Sequence, residues 1–295
     1  MTLSTPATRS LVSAAAALTV ACASAATRPP AVGVRAVAAL RLGHPPAASL
    51  MNANGSPRIS SAASYERMLQ RVAPVLEAAR SDPRLALDPN YLAALLTKES
   101  GGDTLAVSAA PAIGVAQLTA VADAELQRLT GAPRAAWPAF SWMSAEVNAW
   151  PRDARLHRAG VAAAVADSLI RGGALDSRAE YLLDPVLSAR AASFYVRLLE
   201  ARWSEDSLPG SYAAEARQRI GGRALSAGEV LALVTVSYNQ GPEWVLSRLQ
   251  RDGAEWSLRL NDGSGAGMEA TDYLERVQSY ATIFRDAARM QTPPP

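Results

Sequence analysis

Asp88-Pro89-Asn90-Tyr91-Leu92-Ala93-Ala94-Leu95-Leu96-Thr97-Lys98-Glu99-Ser100-Gly101-Gly102 reads as one helix with both ends marked. Asp88 is an N-cap, and Pro89 takes the first helical position, where no backbone N–H is needed. The pair Gly101-Gly102 stops the helix at about Glu99. Leu92, Leu95 and Leu96 mark the buried stripe, and the next position on that i, i+3, i+4, i+7 face is Glu99. A carboxylate there is costly unless it is paired or protonated, and the negative end of the helix dipole adds to the cost. Both effects push its pKa upward, as a general acid working near neutral pH requires. The alternative is a frayed last turn with Glu99 in solvent beside Lys98.

The same spacing extends through the chain. Tyr65, Met68, Leu69, Val72, Leu76 and Ala79 share one face of a helix that begins near Ser64. Further helices are expected over 120–129, 160–171, 185–202, 227–239, 243–251 and 270–289. Ser226 with Glu229 forms a capping box for the 227–239 helix. No alternating strand run, two-residue hairpin or internal repeat stands out, so the expectation is one all-α domain. A length of 295 residues suffices for a sizeable core.

Composition narrows the function. With 49% hydrophobic and 19% charged residues the chain is not disordered throughout. Lys and Arg total 29 against 27 acids, for a net charge of +2, and Lys98 is the only lysine. No basic stripe appears, so nucleic acid is not an expected partner. Cys22 is the only cysteine, and His44 and His157 are the only histidines. A disulfide framework is impossible and a Cys/His metal cluster nearly so; neither metal nor cofactor is expected.

The N-terminus reads as an address. A small apolar run over Leu11–Ala21 leads to Ala23-Ser24-Ala25, which fits a secretory signal over 1–25. The run is shorter than the ~20 residues that span a bilayer. Export to a periplasm or the exterior is therefore expected. Leu18-Thr19-Val20-Ala21-Cys22 is similar to a lipoprotein signal, which makes Cys22 a candidate lipidation site and the one expected membrane attachment. Residues 26–62 read as a flexible Pro/Ala-rich linker, 63–290 as the folded domain and 291–295 as a loose tail.

Four blocks follow in order. Glu99-Ser100-Gly101 precedes Ser108 and Ala112-Ile113-Gly114-Val115-Ala116-Gln117-Leu118. Asp184-Pro185 opens a helix carrying Ala191 and Tyr195. Ser237-Tyr238-Asn239-Gln240-Gly241-Pro242 comes next, then Glu269 with Tyr273. Together these blocks resemble the soluble lytic transglycosylase family, related to goose-type lysozymes. The resemblance implies a lysozyme-like helical catalytic domain with a long insertion at about 124–180.

It further implies that the partner is the peptidoglycan glycan strand, cleaved without water between N-acetylmuramic acid and N-acetylglucosamine to leave 1,6-anhydromuramyl ends. Glu99 would be the single general acid and base. Ser108 would hold its carboxyl, Gln117 would contact an N-acetyl group or ring hydroxyl, and Tyr238 would hydrogen-bond or orient Glu99 and stack on the sugar. Asn239 would brace the turn or reach substrate, and Glu269 would line the groove floor. Pro111, Ala116, Thr119 and Ala120 depart from the family pattern. Trp137, Trp142 and Trp150 in the insertion are either glycan-stacking faces or a local mini-core. The competing functions are a hydrolytic muramidase using Glu99 and a non-catalytic peptidoglycan-binding lipoprotein.

Overall fold

Ser61 begins the first helix by accepting the Ser64 N–H at 3.0 Å, and α1 (Ala62–Ser81) carries Tyr65, Met68, Leu69, Val72, Leu76 and Ala79 on its buried face. In this computed structural model the described residues are 45, 47–50, 59, 61–108, 112–131, 140–150, 164, 167, 168, 171, 172, 180–208 and 210–291. Asp88 caps α2 (Pro89–Ser100) through the Asn90 N–H at 2.9 Å, and Gly101, at φ +59°, returns its N–H to the Thr97 carbonyl. Next come α3 (Ala120–Gly131) and α4 (Ser141–Ala149). Asp184 caps α5 (Pro185–Ser204), accepting from Val186 and Leu187 at 2.9 and 3.0 Å. A short α6 (Ala213–Arg219) precedes α7 (Ala227–Gln240), where the Ser226–Glu229 capping box is present. The chain continues through α8 (Pro242–Asp252) to the long α9 (Gly265–Gln291).

The protein is all-α across the described residues, the only β pairing being two isolated bridges in the loop after α2. These helices belong to one compact unit, residues 40–295. At its centre lies α2, with Tyr91 through Thr97 and Ser100 all buried. A helix covered on every side must be apolar on every side, and Leu92-Ala93-Ala94-Leu95-Leu96 meets that demand. Along α2 packs α9, with α1 beside it, while α7 packs against α9 and α5. This packing fixes the direction in which the C-terminal end of α2, and therefore Glu99, points.

One expectation changes and one alternative is decided. Part of the 26–62 linker is docked: Pro45, Leu50 and Ile59 are buried, and the turn Ala47–Leu50 packs on α1. Isolated apolar residues between prolines carry no periodicity, yet they fill gaps in the core surface. Of the tryptophans of the insertion, Trp142 and Trp150 take the mini-core alternative. Trp150 is 5% exposed, stacked on Phe194 at 5.6 Å and tilted on Tyr181 at 5.0 Å. Trp142 meets Phe194 edge-on at 5.3 Å, with the Arg84 guanidinium 4.3 Å from its centroid. Together with Phe140, Met143 and Val147 they seat α4 on the rest of the core. Trp137, His157, Cys22 and most of the expected 160–171 helix lie outside the described residues.

One glycine sets how closely the loop after α2 meets the turn that leads into α5. Gly114 has φ +76°, and a Cβ there would stand 1.9 Å from the Leu182 carbonyl oxygen. Gly228, in the first turn of α7, has open space around it. Gly114→Ala should lower unfolding free energy by about 2–4 kcal/mol, from strain plus displaced backbone. Gly228→Ala should raise it by about 0.5–1 kcal/mol. Urea denaturation checks both.

Candidate active site

The loop from Gly101 to Thr119 is held by its own backbone. Ser108 and Ala112 exchange two hydrogen bonds, N–H to carbonyl at 3.1 Å and Ala112 N–H to Ser108 Oγ at 3.2 Å. Ile113 bridges both Val107 and Leu118, so three short segments of the loop lie side by side in a small pad. Gln117 sits at φ +48°, unusual for a residue with a Cβ. Its Nε2 donates to Ala106 O at 2.8 Å and Gly114 O at 2.9 Å, which ties the pad together and offsets the strained backbone. The Ala116 N–H donates to Ser188 Oγ on α5 at 3.3 Å.

Two other elements close on this pad. From the last turn of α7, Tyr238 donates its hydroxyl to the Ala116 carbonyl at 2.8 Å and sets its ring edge-on to Tyr195 at 5.6 Å. The next residue, Asn239, donates from Nδ2 to Glu269 Oε1 at 3.4 Å and accepts from Gln240 Nε2 at 2.7 Å. From α9, Tyr273 donates its hydroxyl to Glu99 Oε1. Glu269 and Tyr273 are four apart on one helix, which puts them on the same face. Thus α2, α7 and α9 each contribute to one constellation: Glu99, Asn239, Glu269 and Tyr273.

Glu99 is half-buried. Its Oε1 is engaged by Tyr273, while Oε2 has no hydrogen bond to a described residue and is not among the enclosed atoms. Burial pushes its carboxyl up to about 7. The Tyr273 hydrogen bond and the Lys98 charge oppose that rise, and the Glu269 charge adds to it. Burial, followed by the Glu99 charge, holds the Tyr238 and Tyr273 phenols well above their ordinary range, so both remain hydrogen-bond donors. Lys98 stands 3.8 Å from Asp272 and 5.3 Å from the Tyr273 ring centroid, so it braces α2 on α9. Asp272 is also paired with Arg276, and Asp103 accepts the Leu105 N–H. Glu99 is therefore not a frayed, fully solvated residue.

Several expected roles shift. Tyr238 does not hydrogen-bond Glu99; the Ala116 carbonyl takes its proton, and Tyr273 makes the bond instead. No described hydrogen bond joins Ser108 to Glu99; Ser108 holds the pad. Both amide hydrogens of Gln117 go to loop carbonyls, which leaves its Oε1 as the atom able to meet a ligand. Asn239 and Glu269 do lie at the site and touch each other. The sequence signal for Tyr273 was the four-residue spacing from Glu269. Only the register of α9 against α2 shows which tyrosine reaches the acid.

Beside Tyr238 opens a cavity of about 340 Å³ lined by Gln117, Tyr195, Tyr238, Asn239, Gln240 and Glu243, among others. Tyr195 is 5% exposed. No family model matches the chain, and no curated protein matches it.

A carboxyl held near 7 in the fold and near 4.5 in the unfolded chain costs stability as pH rises between those values. Its contribution is most favourable below the lower value and is lost above the upper one. Glu99→Gln, which keeps an acceptor for Tyr273, should therefore raise Tm by about 2–4 °C at pH 8 and leave it nearly unchanged at pH 4. Thermal unfolding at the two pH values measures this.

Proposed function

We propose that this protein is a peptidoglycan lytic transglycosylase with a lysozyme-like helical domain of the soluble lytic transglycosylase type, using Glu99 as its only acid and base. The observation that carries the reading is the half-buried Glu99 carboxyl, raised to about 7, with one oxygen fixed by Tyr273 and the other open. That combination suits a group which must hold a proton near neutral pH, deliver it in one direction and then take one back.

In this reading Glu99 Oε2 protonates the glycosidic oxygen as the bond to C1 of the muramic residue breaks. The carboxylate that results then accepts the proton of the C6 hydroxyl, whose oxygen closes on C1. The products are a 1,6-anhydromuramyl end and a free hydroxyl on the departing sugar, and no water is consumed. Because the nucleophile belongs to the substrate, a second catalytic carboxylate is unnecessary, in contrast to most glycosidases. The neighbouring acids are otherwise engaged: Asp272 by Lys98 and Arg276, Asp103 by the loop, and Glu269 by Asn239. Tyr273 orients the acid and steadies the carboxylate between the two steps. The cavity beside Tyr238 falls in the size range of ligand pockets and offers hydroxyl and amide groups to a sugar. Export through the 1–25 signal would bring the enzyme to its polymer.

Mass spectrometry of digests of purified sacculi tests the reading. Wild type should release anhydro-ended muropeptides, and Glu99→Gln should lose about 10²–10⁴-fold of the rate. Reducing ends would instead mark a hydrolytic muramidase, and equal, negligible release by both proteins would mark a binding protein.

The pH profile gives a further check. Activity should fall as pH rises through about 7, where Glu99 loses its proton. Tyr273→Phe removes a hydrogen bond that favours the carboxylate, so the alkaline limb should move upward by about one unit while kcat drops.

A further inference from the structure

A second cavity, about 230 Å³, lies between α1 and the turn that follows α2. Ser64, Arg67 and Arg71 of α1 form one wall, and Gly102, Asp103, Thr104 and Leu105 form the other. The walls are clamped together, since a Cβ on Gly102 would stand 2.5 Å from the Tyr65 Cα. Ser64, Arg67 and Arg71 follow the i, i+3, i+7 spacing of a single helix ridge, so both guanidinium groups face the same space.

The charge in this cavity is unbalanced. Most arginines of the described chain are paired with acids, among them Arg190 with Glu146, Arg202 with Glu125 and Arg248 with Asp262. Arg67 and Arg71 are exposed and have no ion pair among the described residues; Arg67 only donates to Ser64 Oγ at 3.1 Å. Like charges four residues apart on a helix repel each other. Asp103 faces the same cavity but turns its Oδ1 to the Leu105 N–H at 2.9 Å and pairs with neither arginine. Two guanidinium forks beside a walled space, with one carboxylate in the wall that pairs with neither, suit an incoming oxyanion.

We propose that Arg67 and Arg71 form an anion subsite that takes a carboxylate of the peptide carried on the glycan strand. The proposal rests on the transglycosylase reading, and its place in the fold agrees with that reading. Gly102 is three residues beyond Glu99, so the cavity wall starts within about 11 Å of the acid along the chain. A substituent on a sugar held at Glu99 spans that distance. The subsite would make cleavage sensitive to whether the strand still carries its peptides, and to salt.

Binding by the cleavage-silent Glu99→Gln protein separates this from catalysis. Labelled soluble glycan strands are used in three forms: peptide-bearing, peptide-bearing with methyl-esterified carboxylates, and stripped of peptides by an amidase. Fluorescence anisotropy should show that adding Arg67→Gln and Arg71→Gln weakens binding of the peptide-bearing strand about 5- to 10-fold. The same changes should leave the esterified and stripped strands within about 2-fold of the parent, and Arg80→Gln on the same helix should affect none of the three. A uniform loss on all three strands, or no loss on any, overturns the subsite. If wild type still releases anhydro ends in that case, the transglycosylase reading stands without it. Failure of the parent protein to bind any strand, together with no cleavage by wild type, removes both.

Discussion

A carboxyl at the end of a fully covered helix is the constraint on which the rest of this structure depends. Burying Leu92 through Leu96 on every side drives α2 through the middle of the protein, and Glu99 is carried to the edge of that core. Water is thin there, so the charged form is disfavoured, and the negative end of the helix dipole acts in the same direction. A frayed or solvated last turn would give an ordinary glutamate. The Gly101 cap, the tight contact of Gly102 on Tyr65 and the Lys98–Asp272 pair prevent that.

The surrounding elements each fix one degree of freedom of the site. From α9 comes Tyr273, which pins one carboxyl oxygen and so aims the other. From α7 come Tyr238, which locks the loop pad through Ala116, and Asn239, which holds Glu269. Gln117 uses its own side chain to keep a strained loop in shape. These contacts link residues far apart in sequence, so the site exists only when α2, α7 and α9 have docked. Positioning of this kind, rather than any unusual chemical group, is what an acid–base catalyst requires of its scaffold.

Much of this was legible in the chain before folding was considered. Helices that open on Asp-Pro, or on Ser with Glu three residues later, were readable because the caps are local chemistry. The helices α4 and α6 were not, since they are entered from Phe140 and Tyr212 without a side-chain cap and are short. Glu99 stood out because it breaks an apolar stripe. Which tyrosine reaches it could not be read, because Tyr238 and Tyr273 sit on different helices and only their packing decides. The tryptophans of the insertion were ambiguous for the same reason: an aromatic face looks alike in sequence whether it meets a sugar or, like Trp150, Phe194. Pro45, Leu50 and Ile59 were read as tether because docking against a finished core needs no periodicity.

The central claim is that the fold keeps Glu99 protonated close to neutral pH. A carbon-detected NMR titration of the glutamate side-chain carboxyls, with the Glu99 signal identified by its loss in Glu99→Gln, measures this directly. The account predicts a midpoint near 7 for that one signal. A midpoint near the ordinary glutamate value of about 4.3 would contradict it.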